Sequence, residues 1–190
     1  MKLPVLSFYL LPALLLCMAL SQPAYASKDD NTLKTGISYV WLSDYDSQGV
    51  MFSDRYSHYL GDRFAAGLNL GLLAASRYDE IKQLYTIKNT FYMGTLELSY
   101  DVIKNDAIRL RVGAGGSMRH RAEISSNTKD LGTLDGSVRH IKSSEGGYNA
   151  FLENDFGILK NGVAGGRIEY FSYAKGTPVF AIGLHIGFSF

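Results

Sequence analysis

The chain of 190 residues contains one cysteine, four prolines and one tryptophan, and its basic and acidic residues nearly cancel, at 19 and 18. This balance excludes the basic face that nucleic-acid binding needs. The only cysteine, Cys17, lies in an N-terminal apolar run, so the rest of the chain offers no disulfide, cysteine-ligated zinc or cysteine nucleophile. What is abundant is glycine (20), tyrosine (13) and phenylalanine (10), a composition that favours strands and turns.

The first 26 residues have the pattern of a signal peptide. Lys2 precedes an apolar run from Val5 to Leu20, and Ala24-Tyr25-Ala26 is a small-x-small site of the kind that signal peptidase cleaves. The run contains Pro12 and is shorter than the roughly 18 to 20 residues of a membrane-spanning helix, which favours cleavage over anchoring. We predict a cleaved signal peptide over residues 1–26 and one exported domain over residues 27–190.

The rest of the sequence has no second long apolar run and alternates instead. From Phe180 to Phe190 every second residue is bulky and apolar, and the residues between are small or polar. A strand separates such residues onto two faces, whereas a helix would scatter them. Similar segments recur upstream, separated by turn residues at Gly61-Asp62, Lys104-Asn105-Asp106 and Lys160-Asn161-Gly162. We predict eight strands, at residues 35–45, 49–60, 63–75, 88–103, 107–124, 147–159, 163–173 and 178–190.

These strands predict an all-β fold, an eight-stranded antiparallel up-and-down transmembrane β-barrel. Tight turns alternate with connections that include two long ones, at 76–87 and 125–146, as in barrels with short turns on one rim and loops on the other. The loop at 125–146 carries charges of both signs and is the segment expected to contact any surface ligand. The strand at 49–60 has no clean apolar face, so its facing stays open, and for 147–159 we predict that both carboxylates point inward.

Charged side chains fall on one face of the predicted strands. A lipid-facing arginine near the membrane midplane costs about 2–4 kcal/mol, so this face is expected to turn inward and to plug a lumen that eight strands keep narrow. The predicted interior charge network consists of Glu97, Asp101, Arg109, Arg111, Arg119, Glu153, Asp155, Arg167 and Glu169. The alternative fold is a soluble exported calycin-like barrel, in which the polar face would be the exterior.

An exported chain of this size, with eight amphipathic strands and a last strand ending in Phe190, resembles the small eight-stranded outer-membrane barrels of the OmpA transmembrane-domain, OmpX and Ail type. The alternating residues Leu184, Ile186, Phe188 and Phe190 carry this resemblance. It implies an outer-membrane location among lipid and lipopolysaccharide, and it implies that the barrel assembly machinery recognises these four residues as an assembly signal. We expect a monomer.

The sequence shows no catalytic, cofactor-binding or metal-binding constellation. None of the histidines, at positions 58, 120, 140 and 185, has the spacing of a zinc helix, and we interpret His185 as a polar residue inside the barrel. The segment with Tyr170 and Ser172 loosely resembles a strand of the lipid A deacylase barrels, but tyrosine replaces the histidine and is a poor base at neutral pH. We predict a structural or cell-surface interaction role without catalysis; the alternatives are lipid A modification, small-ion conduction and soluble ligand binding.

Overall fold

A computed structural model describes residues 31–43, 47–79, 84–105, 107–126, 138–158 and 160–190, so the predicted signal peptide lies outside the described residues. At 78–79, 84–88, 123–126 and 138–141 the description covers the backbone only. The eight strands are β1 (Asn31–Leu42), β2 (Ser47–Tyr59), β3 (Phe64–Asp79), β4 (Leu84–Lys104), β5 (Ile108–Ser126), β6 (Val138–Gly157), β7 (Gly162–Tyr173) and β8 (Val179–Ser189). No helix in the described ranges has the length and apolar character needed to cross a membrane.

The strands form one closed barrel. Each strand pairs antiparallel with its sequence neighbours, and β1 also pairs with β8. At the end of this seam Asn31 and Phe190 exchange two backbone hydrogen bonds, with N···O distances of 3.1 and 3.0 Å. Closure pairs both edges of every strand over the height that all eight strands share, as the hydrocarbon core requires, because lipid offers no hydrogen-bond partner to a backbone group. The predicted fold class, an eight-stranded antiparallel barrel, is confirmed.

The connections differ between the two rims. The three predicted tight turns, which join β2 to β3, β4 to β5 and β6 to β7, lie at one end of the barrel, here called the turn rim. At the other end, the loop rim, β1 ends and β2 begins, as do β3 and β4, β5 and β6, and β7 and β8. Asn105 shows why the chain can reverse within so few residues. Its side-chain oxygen accepts hydrogen bonds from the backbone N–H groups of Ala107 and Ile108, at 3.0 and 2.7 Å, and thereby replaces a strand partner.

The barrel wall is much taller on one side. β1, β2, β7 and β8 contain 12, 13, 12 and 11 residues, whereas β3 to β6 contain 16, 21, 19 and 20. β7 ends where Tyr173 pairs with Gly147, but β6 extends beyond this level to Val138 and pairs there with β5.

The loop predicted at 125–146 was therefore wrong for 125–126 and 138–146, which are strand, and 127–137 lie outside the described residues. The connection predicted at 76–87 was likewise wrong for 76–79 and 84–87. The cause is physical. Apolar alternation marks only the part of a strand that has lipid on one side, and it disappears where both faces contact water.

The outer surface is apolar and the interior holds the charges. Outward side chains such as Leu96, which is 70 % exposed, form a band that would contact lipid, and aromatic rings flank it near both rims. The rings near the loop rim are Tyr39, Trp41 and Phe180, and those near the turn rim are Phe64, Tyr100, Phe188 and Phe190. An apolar band between two aromatic girdles is the surface of an outer-membrane barrel and the reverse of a calycin-like one.

The structure also settles the facing of β2, which the sequence left open. Arg55 points inward and is 4 % exposed, whereas its neighbour Asp54 points outward. In β6, Glu153 and Asp155 both point inward.

Candidate functional site

All nine charged residues of the predicted interior network point into the lumen, and none is more than 9 % exposed. The pairing of β4 to β7 brings eight of them together in the half of the lumen near the turn rim. The ninth, Arg119, lies apart near the loop rim. The structure adds Lys34 and Arg55 to the eight.

Glu153 and Asp155 form the centre of this network. The Lys34 ammonium donates to Glu153 Oε1 at 2.6 Å and to Asp155 Oδ2 at 2.5 Å. Arg55 and Arg167 both donate to the other oxygen of Glu153, the latter at 3.2 Å. One carboxylate therefore accepts hydrogen bonds from three cations, and such dense pairing is what a buried charge needs to offset its lost hydration.

Arg167 links this centre to a second group of carboxylates. Its guanidinium lies 2.5 Å from Glu97 Oε1 and 2.8 Å from Glu169 Oε1. Asn149 donates to the same two oxygens, at 2.9 and 2.6 Å. The like charges of Glu97 and Glu169 are thus held together by one guanidinium and one amide.

A third group surrounds Asp101, which is fully buried. Arg111 Nε donates to Asp101 Oδ1 at 2.8 Å, Arg109 Nε lies 3.5 Å from Oδ2, and the Tyr59 hydroxyl donates to Oδ2. Arg111 also approaches Glu153 at 3.7 Å, which joins this group to the centre.

The cations and anions of the whole network balance. The cations are Lys34, Arg55, Arg109, Arg111 and Arg167, and the anions are Glu97, Asp101, Glu153, Asp155 and Glu169. The network is therefore neutral as a set and offers no unbalanced charge to a permeating ion.

Glu153, Asp155 and His185 could in principle hold a metal ion, since one potential ligand atom from each lies within 4.8 Å of the others. The arrangement argues against it. The Lys34 ammonium already lies between the two carboxylates, and His185 Nε2 is 2.7 Å from Asp155 Oδ1. The position that a cation would take is filled by the protein's own ammonium group.

The half of the lumen near the loop rim is filled by apolar side chains. This apolar layer consists of Val40, Leu42, Met51, Leu73, Ala75, Phe91, Met93, Phe171, Tyr173, Val179 and Ala181. The prediction of a polar lumen is thus correct only for the half near the turn rim. Inward positions close to the loop rim carry bulky apolar residues because packing can fill the lumen there without charge pairs.

Arg119 closes the apolar layer at the loop rim. Its guanidinium lies over the rings of Tyr173 and Phe91, at 3.9 and 5.0 Å from their centroids, and Nε donates to Glu145 at 2.7 Å. Nη1 donates to the backbone oxygen of Thr177 at 2.8 Å, which ties the β7–β8 connection across the lumen.

Gly176 in that connection has φ of 90°, a conformation that disfavours side chains. A Cβ atom there would also lie 2.5 Å from the Arg119 guanidinium. The tight approach of the connection to Arg119 therefore depends on glycine.

Lys34 and Arg55 are the main residues that sequence reasoning missed. Lys34 was left out of the predicted network because β1 starts earlier than predicted. Leu33, Ile37 and Tyr39 point outward, and the alternation of a strand that includes them would have placed Lys34 inward. Arg55 has no such signal, because Asp54 precedes it and either charge could have faced the lumen.

Two serine-containing sites on the outer surface bear on catalysis. Ser172 and Tyr170 lie on β7, and in the described part of the chain no hydrogen bond joins Ser172 to a base. By contrast, His120 Nδ1 lies 2.9 Å from Ser144 Oγ on the exposed outer face of β5 and β6, near the loop rim.

No family model matches the sequence, and no curated protein matches it either. Solved structures do match. Ail of Yersinia pestis has a TM-score of 0.56 at 14% identity, covering 86% of this chain and 100% of Ail. Neisserial surface protein A (NspA) has a TM-score of 0.60 at 11% identity, covering 85% of this chain and 97% of its own. OprG from Pseudomonas aeruginosa has a TM-score of 0.57 at 10% identity, covering 87% and 99%.

Identities this low show the fold. The resemblance to small eight-stranded outer-membrane barrels is confirmed at that level. Together with the apolar outer band and the charged interior, the fold is that of an integral outer-membrane protein.

Proposed function

We propose that this protein is a non-catalytic outer-membrane barrel with a closed interior, and that it acts in cell-surface interactions through an extension of β5 and β6. The β5–β6 extension comprises residues 118–126 and 138–146. One observation carries the proposal: β6 continues past the end of β7 while it stays paired with β5. At about 2.5 Å of height per residue in a tilted strand, the extension reaches roughly 20 Å beyond Tyr173.

The extension offers a free strand edge. Among the described residues, 138–145 of β6 pair only with β5 because β7 ends at Tyr173. The backbone N–H and C=O groups on the other edge of β6 can therefore pair with a strand of a partner, a recurrent mode of protein recognition.

The filled lumen supports a surface role over transport. The charge network fills one half and the apolar layer fills the other. Eight strands enclose only side chains. Solutes could therefore cross the lumen only if the charge network and the apolar layer both moved aside.

A polyanionic glycan is the first ligand class to test. Ail has been crystallised in complex with the heparin analogue sucrose octasulfate. In the present chain Lys142 is exposed on the outer face of the extension, the face that also carries His120, and an exposed ammonium group supports binding of sulfate groups.

The test removes the extension and keeps the barrel. Residues 122–142 are replaced by Asn-Gly, a two-residue hairpin turn, which leaves Arg119 and Glu145 in place. We expect the variant to retain heat-modifiable gel migration and to lose binding of fluorescent heparin and of host cells. Equal binding by the shortened barrel and the wild type would overturn the proposal.

The terminal strand supports a second part of the proposal, the assembly signal. The outer face of β8 carries four apolar side chains that are at least half exposed: Leu184, Ile186, Phe188 and Phe190. They are therefore accessible to the assembly machinery before the barrel closes. Deleting Phe190 is expected to lower the amount of folded barrel in outer-membrane fractions. Unchanged insertion would contradict this role.

One observation favours a second candidate function, hydrolysis of lipid esters such as those of lipid A. Ser144 and His120 are within hydrogen-bonding distance, the relation of a nucleophile to its base, and they lie near the membrane interface. Lipid A mass spectra from cells with wild-type protein and with Ser144→Ala test it. A loss of acyl chains that requires Ser144 would establish the enzyme, and identical spectra would exclude it.

A further inference from the structure

Asp54 is an acidic residue on the lipid-facing surface. It lies on β2 between Phe52 and Tyr56, all three pointing outward. In the described strands no other outward position between the two aromatic girdles carries a charged side chain. Ionisable residues within the membrane are rare, and they mark functional sites because they are costly to maintain there.

The cross-strand partner of Asp54 fixes its depth. Asp54 pairs with Thr35 of β1, which also points outward. Along β1, Thr35 lies between Asn31 at the turn rim and Trp41 in the girdle near the loop rim. At about 2.5 Å of height per residue these lie roughly 10 Å below and 15 Å above it. Since the apolar band is about 25 Å tall, Asp54 and Thr35 lie near the membrane midplane.

Neither side chain has a polar partner within the described structure. Asp54 and Thr35 take part in no hydrogen bond or ion pair there. The residues beside them on the outer face are Leu33, Ile37, Phe52 and Leu70, together with Tyr56, whose hydroxyl donates to Asn31. A carboxyl group in hydrocarbon needs a partner from outside the barrel, because lipid chains supply none.

We propose that the Asp54–Thr35 pair is the centre of a two-fold interface between two copies of this barrel. A two-fold axis along the membrane normal, passing between β1 and β2, places Asp54 of each copy opposite Thr35 of the other. The two residues are direct cross-strand partners, so in tilted strands their depths differ by only about 3 Å, which the length of the two side chains can span. The Asp54 carboxyl group of each copy then forms a hydrogen bond with the Thr35 hydroxyl of the other copy. The two bonds are equivalent, as an isologous interface requires.

The chemistry of the lipid-facing band favours a second copy bonded in this way over an ion pair. Because that band has no lysine or arginine in the described strands, a second copy offers a hydroxyl and not a cation. The Thr35 hydroxyl can donate a hydrogen bond to either oxygen of the Asp54 carboxyl group, so the contact needs no cation. The surface beside the pair is also concave: a groove lined by Leu33, Ile186 and Phe188 runs from Asp54 towards Lys160 in the β6–β7 turn. Its apolar part can receive side chains of the opposite β2. A dimer replaces the monomer expected from the sequence, where the facing of Asp54 was unknown.

The test measures association of the purified protein, labelled for resonance energy transfer, on dilution in phosphatidylcholine vesicles. We expect Asp54→Leu and Thr35→Val each to weaken association about tenfold. Each change removes both Asp54–Thr35 hydrogen bonds of the symmetric interface, and hydrogen bonds between transmembrane segments contribute about this much in total. Asp54→Asn keeps a donor and an acceptor at the same place and is expected to associate like the wild type. Heat-modifiable migration verifies that every variant is folded.

Cross-linking identifies the face. Single cysteines are introduced at Phe52, beside the proposed axis, and at Leu152 on the opposite wall, and both are treated with a short bismaleimide. We expect a covalent dimer only for Phe52→Cys. A wild type that stays monomeric, an association unchanged by Asp54→Leu, or equal cross-linking at Leu152 would each overturn the proposal, and a monomer would reassign Asp54 to a lipid or a different membrane protein.

Discussion

The two halves of the lumen are filled by opposite means. Near the turn rim, cations and anions pair around Glu153, and near the loop rim apolar side chains such as Leu73, Phe171 and Val179 form one cluster. The same narrow lumen can thus be filled by ion pairs or by apolar packing, but mutations destabilise the two halves for different reasons. Removing one charge leaves its partners buried and unpaired, whereas removing an apolar side chain leaves a cavity.

The largest effect is expected from Glu153→Gln. This change removes the charge that Lys34, Arg55 and Arg167 share, and breaking a buried pair in this way costs about 3–5 kcal/mol. Urea unfolding in micelles, followed by the fluorescence of the single tryptophan Trp41, measures the loss. Asp62→Asn is the control, since it breaks only the exposed contact with Lys104 and should change stability by less than about 1 kcal/mol. Equal effects of the two changes would refute the centrality of Glu153.

A smaller loss is expected in the apolar layer from Leu73→Ala. Leu73 is fully buried, and truncation of such a side chain costs about 3 kcal/mol through lost contacts and a cavity. Leu73→Met conserves volume and should cost less than about 1.5 kcal/mol. The same unfolding experiment compares the two. If Leu73→Met is as unstable as Leu73→Ala, side-chain volume does not determine the stability of the apolar layer.

Arg119→Ala probes the border between the layer and the solvent. It removes the contact with Glu145 and the bond to the Thr177 oxygen, for a loss of about 2 kcal/mol. We also expect faster proteolysis at residues 174–178. Lys175→Ala is the matched control, because the structure uses that residue's backbone oxygen and not its side chain to contact Arg119. Identical proteolysis of both variants would contradict the bond's role.

The smallest effect concerns conduction across planar bilayers. We expect no channel activity from the wild type, and none from Glu97→Ala with Arg167→Ala, because the apolar layer still closes the lumen. Adding Phe91→Ala and Phe171→Ala to that pair opens both halves and should give small single-channel currents. Currents from the first pair alone would show that the charge network is the only barrier.

The sequence predicted the parity of residues better than the ends of strands. The sixth strand has no clear pattern, and Glu153 and Asp155 were assigned inward because the opposite orientation, a one-residue shift, would expose both carboxylates to lipid. Lys34 was missed because alternation is weakest where a strand begins. The extension was missed because no apolar face is needed where water contacts both sides.

The apolar layer could not be separated from the outer band by pattern alone. Phe171 has the same parity as Arg167 and Glu169 and so falls on the inward face, yet that face as a whole was interpreted as polar. The apolar layer forms only when closure of the barrel brings β1, β2, β3, β4, β7 and β8 around one volume. Periodicity reports a direction for each side chain, and three-dimensional closure decides which of them meet.

The two backbone hydrogen bonds between Asn31 and Phe190 have a consequence for protein engineering. Because these two residues are direct neighbours, a short linker can join position 190 to position 31, and new ends can be opened between β5 and β6. Such a circular permutant keeps every strand pair of the barrel and moves the strand seam, the last pairing to form, from β1–β8 to β5–β6. The barrel can thus be closed at a different seam without changing its wall.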